Sequence, residues 1–142
     1  MDKFSREVHT DVWGPSLIRS LGGKTYYVSF TNDKMRYTCL YLLTQKSGVL
    51  KAYLGFNAWA QTHHNAKILV LRSDQGSKYL SGAFSTHLAR QGIEWRLTMH
   101  DTPQENGVAK RLNCTLLECV WAMLHVAQLP KGLWAEALMH VV

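Results

Sequence analysis

The chain has 142 residues, of which 46% are hydrophobic and 18% charged, and its formal net charge is +6. This composition is typical of one globular domain with a buried core, and it excludes a disordered chain. No run approaches the roughly 18 consecutive apolar residues of a membrane span, and the first residues lack the apolar stretch of a secretory signal. The positive charge favours a polyanionic partner such as nucleic acid, although many basic domains bind nothing acidic.

The first half of the chain is predicted to form mainly strands. An apolar-polar alternation predicts a strand at residues 8–12, and two β-rich runs at residues 25–31 and 36–43 predict a hairpin. Helical spacing after Ser47, with that serine as the N-cap, predicts a helix. The nearly continuous apolar run at residues 66–73 predicts a central strand that is covered on both faces.

The second half is predicted to be mainly helical. We expect a short helix at residues 83–91 that Gly92 ends, a strand at residues 93–99, a long helix starting near Asn106–Val108, and a last helix after Pro130. The long helix carries an apolar stripe for the core, formed by Val108, Leu112, Leu116, Cys119, Val120, Met123 and Ala127. The order β, β, β, α, β, α, β, α, α predicts one α/β domain with a mixed sheet over residues 1–142. Since the last helix has no stop signal, we expect this domain to be truncated at its C-terminus.

Two aspartates occupy positions where α/β domains place their sites. Asp11 falls inside the first predicted strand, and Asp74 follows the most apolar one. An aspartate in a buried strand is costly unless it is paired or bound to a cation, but Asp74 also fits a turn and Asp11 an edge or cap position. No zinc-ligand spacing, nucleophile motif or phosphate-binding glycine loop is visible. The three cysteines, without a C-x-x-C pair, indicate reduced thiols and an intracellular setting, and the five tryptophans favour core positions over a base-stacking platform.

Four segments together resemble the integrase catalytic core of copia-type LTR retrotransposons, within the retroviral integrase superfamily. They are "HTDVWGP", "FTNDKMRY", "LRSDQGSKYLSGAF" and "TPQENGVAKRLNCTLLE", and "LPKGLWAEAL" resembles the segment that follows in the same polyproteins. The resemblance implies a ribonuclease H-like fold with a five-stranded mixed sheet flanked by helices. It also implies 3′-end processing and strand transfer of DNA, a Mg²⁺ (or Mn²⁺) cofactor, a nuclear location and homodimers through helix faces, with no membrane partner and no small-molecule cofactor.

The family signature is Asp, Asp, thirty-five residues, then Glu. The resemblance makes Asp11 and Asp74 the first two catalytic acids and metal ligands. The third position is residue 110, because 110 − 74 = 36 leaves thirty-five residues between, and there the chain has Lys110. Without the resemblance, this residue reads as a solvated helix lysine. Glu105 and Glu118 are poor replacements. Relative to position 110, Glu105 lies about 140° around a helix, and Glu118 lies roughly 12 Å further along the helix axis.

A lysine is chemically unsuited to this position. Phosphodiester attack in such sites uses two Mg²⁺ ions roughly 3.5–4 Å apart, which need hard oxygen ligands. An ammonium has only donors, and at about 4 Å and an effective dielectric near 20 a divalent ion would repel it by roughly 8 kcal/mol, an upper-end figure. The family that the chain resembles consists of polynucleotidyl transferases, and we predict that this chain is catalytically impaired or inactive.

Further departures from the family pattern also favour a loss of the family's activity. Asn32, Gln75, Lys78 and Cys114 stand where the family often has other, frequently charged, residues, and the family's zinc-binding N-terminal domain is not in the sequence. An alternative function is a non-catalytic DNA-binding or interaction module, whose DNA-facing edge is formed by Gln104, Asn106, Lys110 and Arg111. A decayed element fragment without function is the third hypothesis.

Overall fold

The computed structural model describes residues 6–32, 34, 37–45, 48–74, 82–98 and 103–141, with the backbone alone at residues 74, 97, 98, 103–110, 112 and 141. The order of elements along these residues is the predicted one. They are β1 (Glu7–Trp13), β2 (Tyr26–Asn32), β3 (Thr38–Leu43), α1 (Val49–His64), β4 (Val70–Asp74), α2 (Ala83–Arg90), β5 (Glu94–Thr98), α3 (Pro103–Val126) and α4 (Trp134–Val141), with a 3₁₀ turn at Lys131–Leu133 before α4.

The strands form one mixed sheet in the order β3-β2-β1-β4-β5. β1, β2 and β3 pair antiparallel, which confirms the predicted hairpin, and β4 and β5 run parallel to β1. The antiparallel register places Trp13 opposite Tyr27 and Tyr26 opposite Leu43. The carboxyl ends of β1, β3, β4 and β5 and the amino end of β2 therefore meet at one edge of the sheet.

Helices cover both faces of the sheet. On one face, α1 and α2 pack on the strands, and the rings of Phe30 and Phe56 stack with centroids 5.0 Å apart. On the other face, α3 and α4 cover Tyr27 and Leu40 with the buried side chains of Leu116, Val120 and Leu124 from α3 and Trp134 from α4. Because side chains alternate along a strand, β2 supplies Tyr27 to one core and Val28 and Phe30 to the other. The domain has three layers, with the sheet in the middle.

Three predicted element boundaries are wrong. The N-cap of α1 is Gly48 instead of Ser47, a residue outside the described part of the chain. β4 begins at Val70, because the amides of Leu69 and Val70 both donate to the Arg6 carbonyl and the ladder starts only there. α3 begins at Pro103, so the expected loop after that residue is helical; a proline suits the first helical position, where no N–H is needed.

The predicted end of α2 is confirmed. Gly92 has φ +70°, and the amide of Ile93 behind it donates to the Leu88 carbonyl at 2.9 Å. A left-handed glycine with these bonds is the usual way to end a helix. Within the described residues, no helix combines the length and apolarity needed to cross a membrane.

The predicted stripe of α3 is partly wrong. Leu116 and Val120 are buried, but Cys119, Met123 and Ala127 are exposed. The buried face includes Leu124 and, half-buried, Leu117 and Trp121 instead, because α4 packs against that side of the helix. The side chains of Val108 and Leu112 lie outside the described residues. Of the tryptophans, Trp134 is fully buried, and the other four are partly buried.

Candidate active site

The parallel register brings the two predicted aspartates to the same edge of the sheet. Glu7 pairs with Val70, and His9 pairs with Arg72. The pairing ends at His9–Arg72, and Asp11 and Asp74 each lie two residues further along their strands. The two aspartates therefore lie at the same end of neighbouring strands. Their roles as catalytic acids and metal ligands stay predictions.

The carboxylate of Asp11 is held by hydrogen bonds from the protein. Its Oδ1 accepts from the backbone N–H of Val12 at 3.0 Å, and its Oδ2 accepts from Nδ2 of Asn113 at 2.6 Å. A carboxylate at neutral pH can only accept, so the amide nitrogen of Asn113 must face it. Asn113 lies on α3, and its bond to Asp11 therefore ties the helix to the end of β1.

The other end of the Asn113 amide is held by Tyr27. The Tyr27 hydroxyl donates to Oδ1 of Asn113 at 2.7 Å. Burial and, secondly, the charge of Asp11 raise the pKa of the Tyr27 phenol far above its ordinary range, so that this group stays a donor at physiological pH. Tyr27, Asn113 and Asp11 thus form a continuous chain of hydrogen bonds from β2 through α3 to β1. Sequence reasoning did not identify Tyr27 or Asn113, although the three-residue spacing after position 110 was a signal for the asparagine.

The backbone places residue 110 close to this chain. Lys110 precedes Asn113 by three residues on α3, which corresponds to about 4.5 Å along the axis and about 60° around it. Position 110 therefore lies within one turn of the residue that contacts Asp11. Among the other residues predicted to face DNA, Arg111 is exposed on α3, whereas the side chains of Gln104, Asn106 and Lys110 lie outside the described residues.

The residue before Asp74 anchors β4 to the neighbouring strand, β5. Ser73 is buried, and its Oγ accepts from the indole N–H of Trp95 on β5 at 2.7 Å. By contrast, Asn32 lies far from this edge, because it is opposite Val8 near the other end of β1. It is fully buried, and an acid there would be costly to desolvate. Gln75 and Lys78, the other departures near Asp74, lie outside the described residues.

We predict that the donor set does not fit a centre of two divalent ions. Such a centre needs carboxylates at three positions in this family, and the third residue here carries an ammonium. Of the nearby oxygens, Oδ1 of Asn113 already accepts from Tyr27. The described part of the chain contains no group of three or more His, Cys, Asp or Glu side chains arranged for a metal ion. Asp11 and Asp74 leave this position set one carboxylate short of the three that the family uses.

The five-stranded mixed sheet in this strand order, with helices on both faces, is the predicted ribonuclease H-like fold. The chain is 40% identical over 131 residues to the retrovirus-related Pol polyprotein from transposon TNT 1-94 of Nicotiana tabacum. The chain is therefore similar to part of a retrotransposon Pol polyprotein, and the resemblance to a retrotransposon integrase core is confirmed. The match covers 92% of this chain and 10% of the polyprotein, so the chain spans about a tenth of its relative.

The fold has a counterpart among solved structures. A cryo-EM structure of a simian T-cell lymphotropic virus intasome in complex with the PP2A regulatory subunit B56 gamma matches with a TM-score of 0.67. The match covers 93% of this chain and 46% of the other, at 15% sequence identity, and shows the shared fold alone. No family model matches the sequence.

Proposed function

We propose that this chain is an integrase-core domain of copia-type ancestry that binds DNA and is impaired in 3′-end processing and strand transfer. The observation that carries the proposal is the lysine at position 110, one helical turn before the asparagine that contacts Asp11. Any activity of the relative's whole polyprotein is likewise only proposed for this chain, because the chain spans about a tenth of that relative.

The physical reason for impairment is electrostatic. In the active form of this chemistry, divalent ions stabilise the attacking and leaving oxygens. Here the chain retains Asp11 and Asp74 and adds a positive charge where a third carboxylate would complete the ligands. The same change favours contact with phosphate, because an ammonium attracts the charge that a carboxylate repels. Binding of DNA therefore survives the substitution better than chemistry on DNA.

The test is a strand-transfer assay with Mg²⁺ or Mn²⁺ on the unmodified protein and on Lys110→Glu. Arg111→Glu is the matched control, because it makes the same charge change at the next position on the same helix. We expect little or no product from the unmodified protein and from the control, and a gain of at least about tenfold from Lys110→Glu, equivalent to about 1.4 kcal/mol of barrier. Robust transfer by the unmodified protein would contradict impairment. If neither the unmodified protein nor Lys110→Glu performs strand transfer, Lys110 is not the cause of the impairment.

The net charge of +6 supports a second candidate, a DNA-binding module that performs no chemistry. On this alternative, Lys110→Glu weakens DNA binding and produces no transfer. The affinity of the unmodified protein should fall linearly with salt on a logarithmic scale, because bound phosphates release counterions. DNA binding that is negligible at low salt, or independent of salt, would exclude both candidates and favour a fragment without function. A nuclear location and homodimerisation stay proposals.

A further inference from the structure

A concavity with two lysines lies at the same edge of the sheet as Asp11. It has a volume of about 490 Å³ and is enclosed by the end of β3, the first turn of α1 and the segment that leads into β2. Its polar lining is formed by Lys24, Lys51, Thr44 and Gln45, and its walls by apolar residues of β3 and α1. We name this concavity the lysine pocket.

The lysine pocket is positively charged. Lys24 is half-buried and Lys51 exposed, and neither forms an ion pair with the described residues. Among the residues that the structure describes, the lining of the pocket includes no aspartate or glutamate. Two ammonium groups on a concave surface attract anions when no described acid offsets their charge, and lysine is a common point-charge ligand of phosphate.

The sheet register fixes the position of the pocket relative to Asp11. Tyr26 pairs with Leu43 and Trp13 with Tyr27, so the residues that flank the pocket and the end of β1 lie at one level. β3 is two strands from β1, a lateral distance of about 10 Å. Asp11 pairs with Ser29, three positions from Tyr26, which adds about 10 Å along the strands. The pocket lies beside α1, whereas Asp11 is held by α3 on the other face, so the two are connected around this edge of the sheet. The separation of roughly 14 Å corresponds to about four nucleotides at a rise of roughly 3.4 Å along one strand.

We propose that Lys24 and Lys51 form a phosphodiester-binding site that holds the backbone of DNA whose neighbouring nucleotides lie along the Asp11 edge. The proposal rests on the DNA binding proposed above and names a surface for it outside α3. The contact is independent of base sequence, because ammonium groups on a backbone read charge and not base edges.

The test is a titration of a labelled DNA duplex with the double variant Lys24→Gln/Lys51→Gln between about 50 and 200 mM salt. The matched control is Lys67→Gln/Arg90→Gln, which removes the same charge from two exposed residues at the opposite end of the sheet, before β4 and before β5. We expect the pocket variant to reduce the slope of log K against log salt by about 2, and to raise the Kd at low salt more than about tenfold. The control should keep the slope, and so should Lys24→Arg/Lys51→Arg. A thermal melt of each variant checks that it is folded.

Two outcomes would overturn the site. One is a wild-type slope in the pocket variant, which leaves the proposed DNA binding intact. The other is an equal loss in the pocket variant and in the control, which would mean that net charge and not the pocket determines affinity. If the unmodified protein shows no salt-dependent binding, the proposed function itself fails, and the site fails with it.

Discussion

At the scale of single residues, Asn113 joins a catalytic-site candidate to the core. Its amide satisfies an acceptor and a donor at once, since it donates to Asp11 and accepts from Tyr27. Such chains of bonds orient their members more firmly than single bonds do. The orientation of Asp11 therefore depends on a tyrosine that does not contact it by any described hydrogen bond.

Replacing Tyr27 by phenylalanine should destabilise the protein by about 1–2 kcal/mol, because Oδ1 of Asn113 would lose its partner in a half-buried place. The matched control is Tyr53→Phe. Tyr53 is also fully buried, and its hydroxyl has no hydrogen-bond partner among the described residues, so its removal should be neutral or slightly stabilising. Urea denaturation of the two variants measures the difference. Equal effects would mean that the Tyr27 bond contributes nothing to stability.

At the scale of elements, α3 connects the site with the second core. Its first half places position 110 and Asn113 beside β1, and its second half packs Val120 and Leu124 against α4 and the sheet. Because the first half of α3 contacts β1 and its second half contacts α4 and the sheet, the helix cannot rotate about its axis without breaking one of these contacts. The packing of α4 therefore helps to fix the position of residue 110.

Two adjacent residues test which face of α3 is buried. Val120→Ala should cost about 1–3 kcal/mol of unfolding free energy, because Val120 is fully buried and the change leaves a cavity. Cys119→Ala, one position earlier on the exposed face, should change stability by less than about 0.5 kcal/mol. Urea denaturation of both variants is the measurement. A larger cost for Cys119→Ala would restore the stripe expected from sequence.

At the scale of the whole molecule, the two faces of the sheet bury phenols that resist ionisation. Burial raises the pKa of Tyr53 to about 12 and also raises the pKa of Tyr41 and Tyr27. Since the ordinary value is 10.0 and the folded value is higher, the neutral phenol contributes stability in full below pH 10. That contribution is lost as the pH rises through the folded pKa.

We therefore expect unfolding free energy to fall between about pH 10 and 12, with about 2 kcal/mol of the loss coming from Tyr53. Chemical denaturation at a series of pH values measures the loss, and phenolate absorbance follows ionisation. Tyr53→Phe should reduce the slope of unfolding free energy against pH. Ionisation of every tyrosine near pH 10 in the folded protein would contradict this expectation.

The sequence by itself determined the element order, the helix end at Gly92 and the resemblance to a retrotransposon integrase core. The element order and the helix end are local features, because helical and strand periodicity and glycine conformation act over a few residues, whereas the resemblance rests on motifs spread along the chain. The thirty-five-residue interval after Asp74 also predicts, without any coordinates, that Lys110 occupies the third position. The start of β4 and the face of α3 were beyond such reasoning, since both depend on which element packs alongside.

Only the tertiary structure decided what surrounds Asp11. Tyr27 and Asn113 are 86 residues apart in the chain, and Asn113 and Asp11 are 102 apart, so no local pattern marks these bonds. The parallel register that brings Asp11 and Asp74 to the same end of neighbouring strands likewise joins strands separated by a hairpin and a helix. β2 lies between β1 and β3 in the sheet, and this strand order places the lysine pocket at the same edge of the sheet as Asp11. Contacts between residues that are distant in the sequence form only when the strands assemble into the sheet. For that reason these contacts decide the surroundings of Asp11, whereas motif spacing indicates the ancestry of the chain.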